Sequence, residues 1–270
     1  MSSATQPLPA GVKALTFDVF GTVVDWRSSV ETALKKAANK KTGSPEFQSL
    51  SPEVKDRVQA LTDKDWASFA QLWRDSYKKF TKGFVPGETP WKDIDTHHYD
   101  SLVELLDKWQ LQGLYSEDEV KELSLVWHRL TPWSDSSEGI HKLGKSFITS
   151  TLSNGNRSLL KDLNDFGSLG FQKLTSAEDF SAYKPNPAVY LGAAKSFGVK
   201  PEEVTMVAAH LNDLQAARSN GLRTIYVERP GEEDWKEDDP RFQEAKKWVD
   251  IWVSQGEDGF VTVARKLGLP

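Results

Sequence analysis

Four separated stretches of this chain carry side chains that together could perform covalent catalysis. Asp18 closes the apolar run Ala14-Leu15-Thr16-Phe17, and Gly21 and Thr22 follow at once. Ser153 and Asn154 close the run at 146–152, Lys184 stands before Pro185, and Asp213 lies just beyond the run at 204–209. A carboxylate can attack carbon and form an ester, and an ammonium can hold that carboxylate ionised. A hydroxyl and an amide can hold an anion, and a second carboxylate can take a proton. Each group alone has a plainer reading: Asp18 as a turn cap, Ser153-Asn154-Gly155 as an ordinary turn, Lys184 as a solvated loop lysine. Their recurrence at four strand ends favours a common site, because the strand tips of an open parallel sheet face one crevice.

The elements that must position these groups follow from periodicity. A short apolar run ending on a polar tip reads as a buried strand at 14–17, and similar runs mark strands at 146–152, 171–174, 204–209, 224–227 and 249–253. Between them lie helical patterns at 156–166, 187–197 and 213–219, the second closed by Gly198 and the third by Gly221. An acidic loop at 229–240 reads as exposed, followed by a helix near Phe242 and a short last helix. Strands alternating with helices predict an α/β fold with a doubly wound parallel sheet.

Residues 26–130 break that alternation. Helices are predicted at 27–40, 65–80, 96–109 and 116–129, with a break at Thr42-Gly43-Ser44-Pro45 and a loop at 83–90. Trp66, Phe69, Ala70, Trp73, Tyr77 and Phe80 share one helix face with Arg74 at its border, and Leu102, Leu105, Leu106 and Trp109 share another. Ser116 and Glu119 form a capping-box pattern. The chain therefore divides into a core at 1–25 and 131–270 and an inserted helical domain at 26–130.

Composition narrows the function. The 270 residues are 38% hydrophobic and 27% charged, with a net charge of -5, which argues against nucleic acid as a main partner. No apolar run approaches the ~20 residues of a membrane helix, and residues 1–9 read as a loose tail without a leader pattern. There are no cysteines, so disulfides, thiolate metal sites and cysteine nucleophiles are excluded. A cytoplasmic protein is the expectation.

The segments FDVFGTVVD, TLSNGN, YKPNPAVY and VAAHLND, in this order, resemble the four motifs of the haloacid dehalogenase superfamily. The resemblance covers nearly the whole chain and implies a Rossmann-like core with the helical insertion as its cap. Phosphotransferases of that superfamily usually carry a second Asp two residues after the nucleophile, where this chain has Phe20, and an acidic magnesium ligand where it has Ala209. The likeness is therefore to L-2-haloacid dehalogenases, which work without metal or cofactor.

By this resemblance, Asp18 attacks C2 of a small 2-haloacid, and Arg74 and Asn154 receive the halide. Lys184 and Ser153 steady the Asp18 carboxylate and its ester, Thr22 and Tyr190 meet the substrate carboxylate, and water attacks the ester with help near Asp213. Phe20 lines the substrate site. Arg74 has an alternative role, lying over Trp73 at the helix surface. The chain departs from the pattern at Ala208, and at Asn212, which stands where an aromatic would line the halide cradle. His210 stays open between a neutral imidazole bonded to loop backbone and a group that positions or deprotonates the water. His97, His98, His128 and His141 receive no role. A homodimer is expected from similar proteins, and a phosphatase or a non-catalytic binding protein are the competing functions.

Overall fold

The computed structural model describes residues 11–270, so the predicted tail at residues 1–9 lies outside the described residues. The described chain forms two compact units, one of residues up to Asp25 together with Thr131–Pro270, the other Trp26–Leu130.

The second unit is helical: α1 (Trp26–Thr42), α2 (Pro52–Ala60), α3 (Asp63–Gly83), α4 (Ile94–Lys108) and α5 (Glu117–Ser124). Helix α3 starts in a reciprocal capping box between Thr62 and Asp65, and α5 in one between Ser116 and Glu119. Residues 52–60, which carry no predicted helix, form one because Ser51 caps it and Pro52 opens it; Val58 is its single buried residue, so no apolar stripe marks it. The centre is aromatic. Trp26 stacks on Trp127 at 6.1 Å between ring centroids, and Trp73 meets Trp127 edge-on at 5.4 Å. Phe80 and Trp109, predicted inward, are only half-buried.

Arg74 is buried in this unit rather than placed at a helix border, with its guanidinium carbon 4.6 Å from the Tyr77 ring centre and 5.5 Å from that of Trp26. His98 stacks on Trp127 at 4.4 Å, and His97 on Phe80 at 4.4 Å.

The first unit holds a six-stranded sheet built from β1 (Ala14–Phe17), β4 (Ile148–Ser153), β5 (Lys173–Ser176), β6 (Val204–Ala208), β7 (Arg223–Val227) and β8 (Ile251–Val253). Its order is β5-β4-β1-β6-β7-β8, and every pairing is parallel. A separate two-stranded ribbon pairs β2 (Val24–Asp25) with β3 (Thr131–Pro132). Helices α6 (Ser136–Leu143), α7 (Arg157–Phe166), α8 (Pro187–Phe197), α9 (Leu211–Ser219), α10 (Pro240–Trp248) and α11 (Gly259–Lys266) complete the unit. The α/β alternation is as predicted. Strand β5 lies two residues later than its apolar run, because Phe171 packs edge-on against Phe17 at 5.3 Å instead of pairing. Helix α6 is an element the sequence reading lacks.

Strand β1 is buried along its whole length and flanked by β4 and β6, which puts Asp18 at the tip of a central strand. No helix among the described residues is long and apolar enough to cross a membrane.

Burial holds His97 down at about 4 and His98 well below the usual imidazole value. Both are therefore neutral in the fold but bind protons once unfolded. Their contribution to stability is complete above pH ~6.5 and is lost as pH falls towards 4. Amide exchange in α3 and α4 should accelerate between pH 7 and pH 5, after correction for intrinsic rates, by more than exchange in β1 and β6.

Candidate active site

The candidate site is built at the carboxyl ends of β1, β4 and β6. Asp18 N–H continues the ladder by donating to Val207 O at 3.0 Å, which fixes the carboxylate just past the strand. The chain then turns at Gly21, whose φ of +85° suits glycine. Thr22 Oγ1 donates to Asp18 Oδ2 at 2.8 Å and accepts from Ala209 N–H at 2.9 Å, tying the nucleophile loop to the end of β6.

Lys184 Nζ lies between two carboxylates, 3.0 Å from Asp18 Oδ1 and 2.5 Å from Asp213 Oδ2. Tyr190 Oη donates to the other Asp213 oxygen at 2.6 Å. Burial alone would raise the Asp18 pKa, but Lys184 and His210 outweigh it and hold the carboxyl far below the usual range. Burial would likewise lower Lys184, and the two carboxylates instead push it above the normal ammonium value. Asp18 is thus an ionised, desolvated carboxylate.

Asn154 lies at the turn after β4 and clasps the Lys184 peptide: its Oδ1 accepts from Lys184 N–H at 2.7 Å, and its Nδ2 faces Lys184 O at 3.5 Å. Ser153 Oγ accepts Gly155 N–H at 3.2 Å and shapes the same turn. Phe20 is buried, and its ring lies 3.2 Å from where a Cβ on Gly155 would stand. Asn212 is exposed, with Oδ1 accepting Asp213 N–H at 2.9 Å at the start of α9.

The structure gathers Asp18, Thr22, Lys184, Asp213, Tyr190, Asn154 and His210 into one network. Thr22 gives its hydroxyl proton to Asp18, and Tyr190 gives its own to Asp213. Asn154 holds the Lys184 backbone chiefly through its Oδ1. Arg74 belongs to the helical unit described above.

His210 is not bonded between loop backbone groups. Its Nδ1 lies 3.0 Å from Asp18 Oδ2 and its Nε2 3.3 Å from Glu232 Oε2. Burial would lower its pKa, yet the two carboxylates raise it to about 9. Glu232 belongs to the acidic loop that was expected to be exposed. Instead Arg229 is 7%, Glu232 6% and Trp235 8% exposed.

The reason is a set of specific anchors. Arg229 makes a bidentate pair with Asp135 at 2.6 and 2.8 Å and donates Nε–H to Thr22 O at 3.0 Å. Glu233 accepts Leu211 N–H at 2.6 Å at the start of α9. The signal available in the sequence was Trp235, an aromatic anchor within a charged loop.

With this geometry in place, comparison with known proteins becomes informative. A profile of haloacid dehalogenase-like hydrolases matches residues 12–221. The chain belongs to that family. It is 25% identical over 244 residues to (S)-2-haloacid dehalogenase 4A of Burkholderia cepacia, covering 89% of this chain and 94% of the relative. A solved L-2-haloacid dehalogenase aligns with a TM-score of 0.76 and 32% identity over 96% of this chain and 99% of its own. A defluorinating L-2-haloacid dehalogenase aligns with a TM-score of 0.79 and 29% identity over 98% and 100%. A shorter match, 27% over 143 residues and 48% of this chain, is to 56% of a glyceraldehyde 3-phosphate phosphatase of Pyrococcus furiosus. This haloacid dehalogenase-like hydrolase thus has relatives of two chemistries.

Replacing Arg229 with Met would leave the Asp135 carboxylate buried without its bidentate partner. R229M should lose about 3–5 kcal/mol of stability, read as a lower urea midpoint. Part of it should return in R229M/D135L, which removes the unpaired charge but also the acceptor of Phe260 N–H.

Proposed function

We propose that this hydrolase converts short (S)-2-haloalkanoic acids to (R)-2-hydroxy acids and halide through an ester on Asp18, without a metal. An Asp18 oxygen bonds to C2 as the carbon–halogen bond breaks, the halide leaves with the electron pair, and C2 inverts. Water then adds to Cγ of Asp18, giving up a proton towards Asp213. The bond from Cγ to the substrate oxygen breaks, and the departing alkoxide takes up a proton as the hydroxy acid leaves. Lys184 stays charged throughout and holds both carboxylates. Arg74 takes the halide-receiving role that the family resemblance implies, for which a guanidinium is chemically suited.

The observation that most favours this reading over phosphotransfer is Phe20. Where phosphotransferases place an acid for the leaving group, this chain has a phenyl ring packed against Gly155. No proton can come from it. Ala209, in place of an acidic ligand, donates its N–H to Thr22.

Halide release should occur from only one enantiomer of 2-chloropropionate, continue in EDTA, and vanish in Asp18→Asn. A single turnover in H₂¹⁸O should place the label in Asp18 rather than in the product. Arg74→Ala should lose most of the halide release and, with it, most of the ester formation on Asp18. Metal-dependent release of phosphate from an aryl phosphate, with no halide release, would replace this reading with the phosphatase one.

A further inference from the structure

We infer that Glu232 is a positioning residue that keeps His210 as an imidazolium, so that His210 and Thr22 together form the oxyanion hole for hydrolysis of the Asp18 ester. This rests on the ester mechanism proposed above. Both ring nitrogens of His210 face carboxylate oxygens, and an ionised carboxylate only accepts hydrogen bonds. Both nitrogens therefore carry protons, and His210 is a donor at each end.

The two Asp18 oxygens are held differently. Oδ2 accepts from Thr22 Oγ1 at 2.8 Å and from His210 Nδ1 at 3.0 Å, while Oδ1 accepts from Lys184 Nζ at 3.0 Å. The oxygen with two fixed donors is the poorer nucleophile, so Oδ1 attacks C2 and Oδ2 becomes the ester carbonyl. When water bonds to Cγ, the carbonyl electron pair moves onto Oδ2. The resulting negative charge meets a hydroxyl and a cationic N–H already in place. Collapse returns that pair to the carbonyl and breaks the bond from Cγ to Oδ1. The Oδ1 atom departs with the product, and the oxygen from water remains on Asp18. A charged imidazole cannot take the proton from that water, so its contribution is electrostatic.

Glu232 supplies the second carboxylate from a remote loop. Its side chain lies over Gly21, where an added Cβ would fall 1.9 Å from Oε2. The charged groups around His210 are Asp18, Glu232 and, at the start of α9, Glu233, with Lys184 and Asp213 beyond Asp18.

Glu232→Gln tests the assignment, because the amide keeps the shape and removes the charge. Esterification removes the Asp18 charge and leaves Glu232 alone to oppose the burial that lowers the imidazole, so the rates of ester hydrolysis in the two proteins should converge as the pH falls towards about 5. Towards pH 8 E232Q should hydrolyse the ester about tenfold or more slowly than the wild type. Ester formation should change little, so the Asp18 adduct should accumulate in E232Q and be visible by intact mass spectrometry. His210→Ala should slow ester hydrolysis at every pH.

The same loss at every pH in E232Q, or none at any pH, would overturn the proposal. Titration of the His210 ring by NMR provides a readout without substrate, with a value near 9 expected in the wild type and at least one unit lower in E232Q. A wild-type ring titrating near ~6.5 would also overturn it. Absence of halide release and of any Asp18 adduct in the wild type would instead remove the dehalogenase reading, leaving the Glu232–His210 pair to be decided by the NMR titration.

Discussion

The interaction on which the rest of the site depends is the buried Lys184 ammonium between Asp18 and Asp213. Taking any of these charges out of water alone is costly, and the arrangement is stable because each has a partner within hydrogen-bond distance. Lys184 and His210 face the carboxylates of Asp18, Asp213 and Glu232, and Tyr190 donates to Asp213. The excess of negative charge keeps both cations protonated. It also means that an anion arriving at Asp18 needs positive charge from elsewhere in the protein.

Much of the surrounding structure serves to hold that cluster. Asn154 fixes the Lys184 backbone, so β4 sets the position of the ammonium although the lysine is not on the strand. Thr22 links the nucleophile loop to the end of β6, and Arg229 links the same loop to Asp135, itself bonded to Phe260 N–H at the start of α11. Each tie is a directional bond to backbone or carboxylate. The loops around Asp18 therefore have little freedom to relax when one partner is removed.

The strand tips were legible in the sequence because short apolar runs ending in Asp18, Ser153 and Ala208 stand out against their neighbours. Phe20 and Ala209 were legible for the same reason: each occupies a position where the resemblance makes residue type decisive. What spacing does not contain is the direction of a hydrogen bond. The resemblance brings Thr22 and Tyr190 to the candidate site, but which acceptor takes their single proton depends on angles and distances that appear only in the fold. Glu232 was missed because acidic residues beside Gly and Pro ordinarily mark a solvated loop. Here the Arg229–Asp135 pair and Trp235 draw that loop inward. Helix α2 was missed because a helix with one buried residue leaves no stripe.

The order of the chain gives the sheet a consequence for biosynthesis. Strand β1 precedes the helical unit in the chain, whereas both of its partners, β4 and β6, follow it. The helical unit is one continuous segment and has its own aromatic centre, so it can fold as it emerges. Strand β1 must wait. Asp18 meets its ammonium only after residue 184 is synthesised, its imidazolium after residue 210, and the carboxylate beyond that after residue 232. A nascent chain that ends between residues 184 and 232 holds the complete helical segment but not the whole charge network around Asp18.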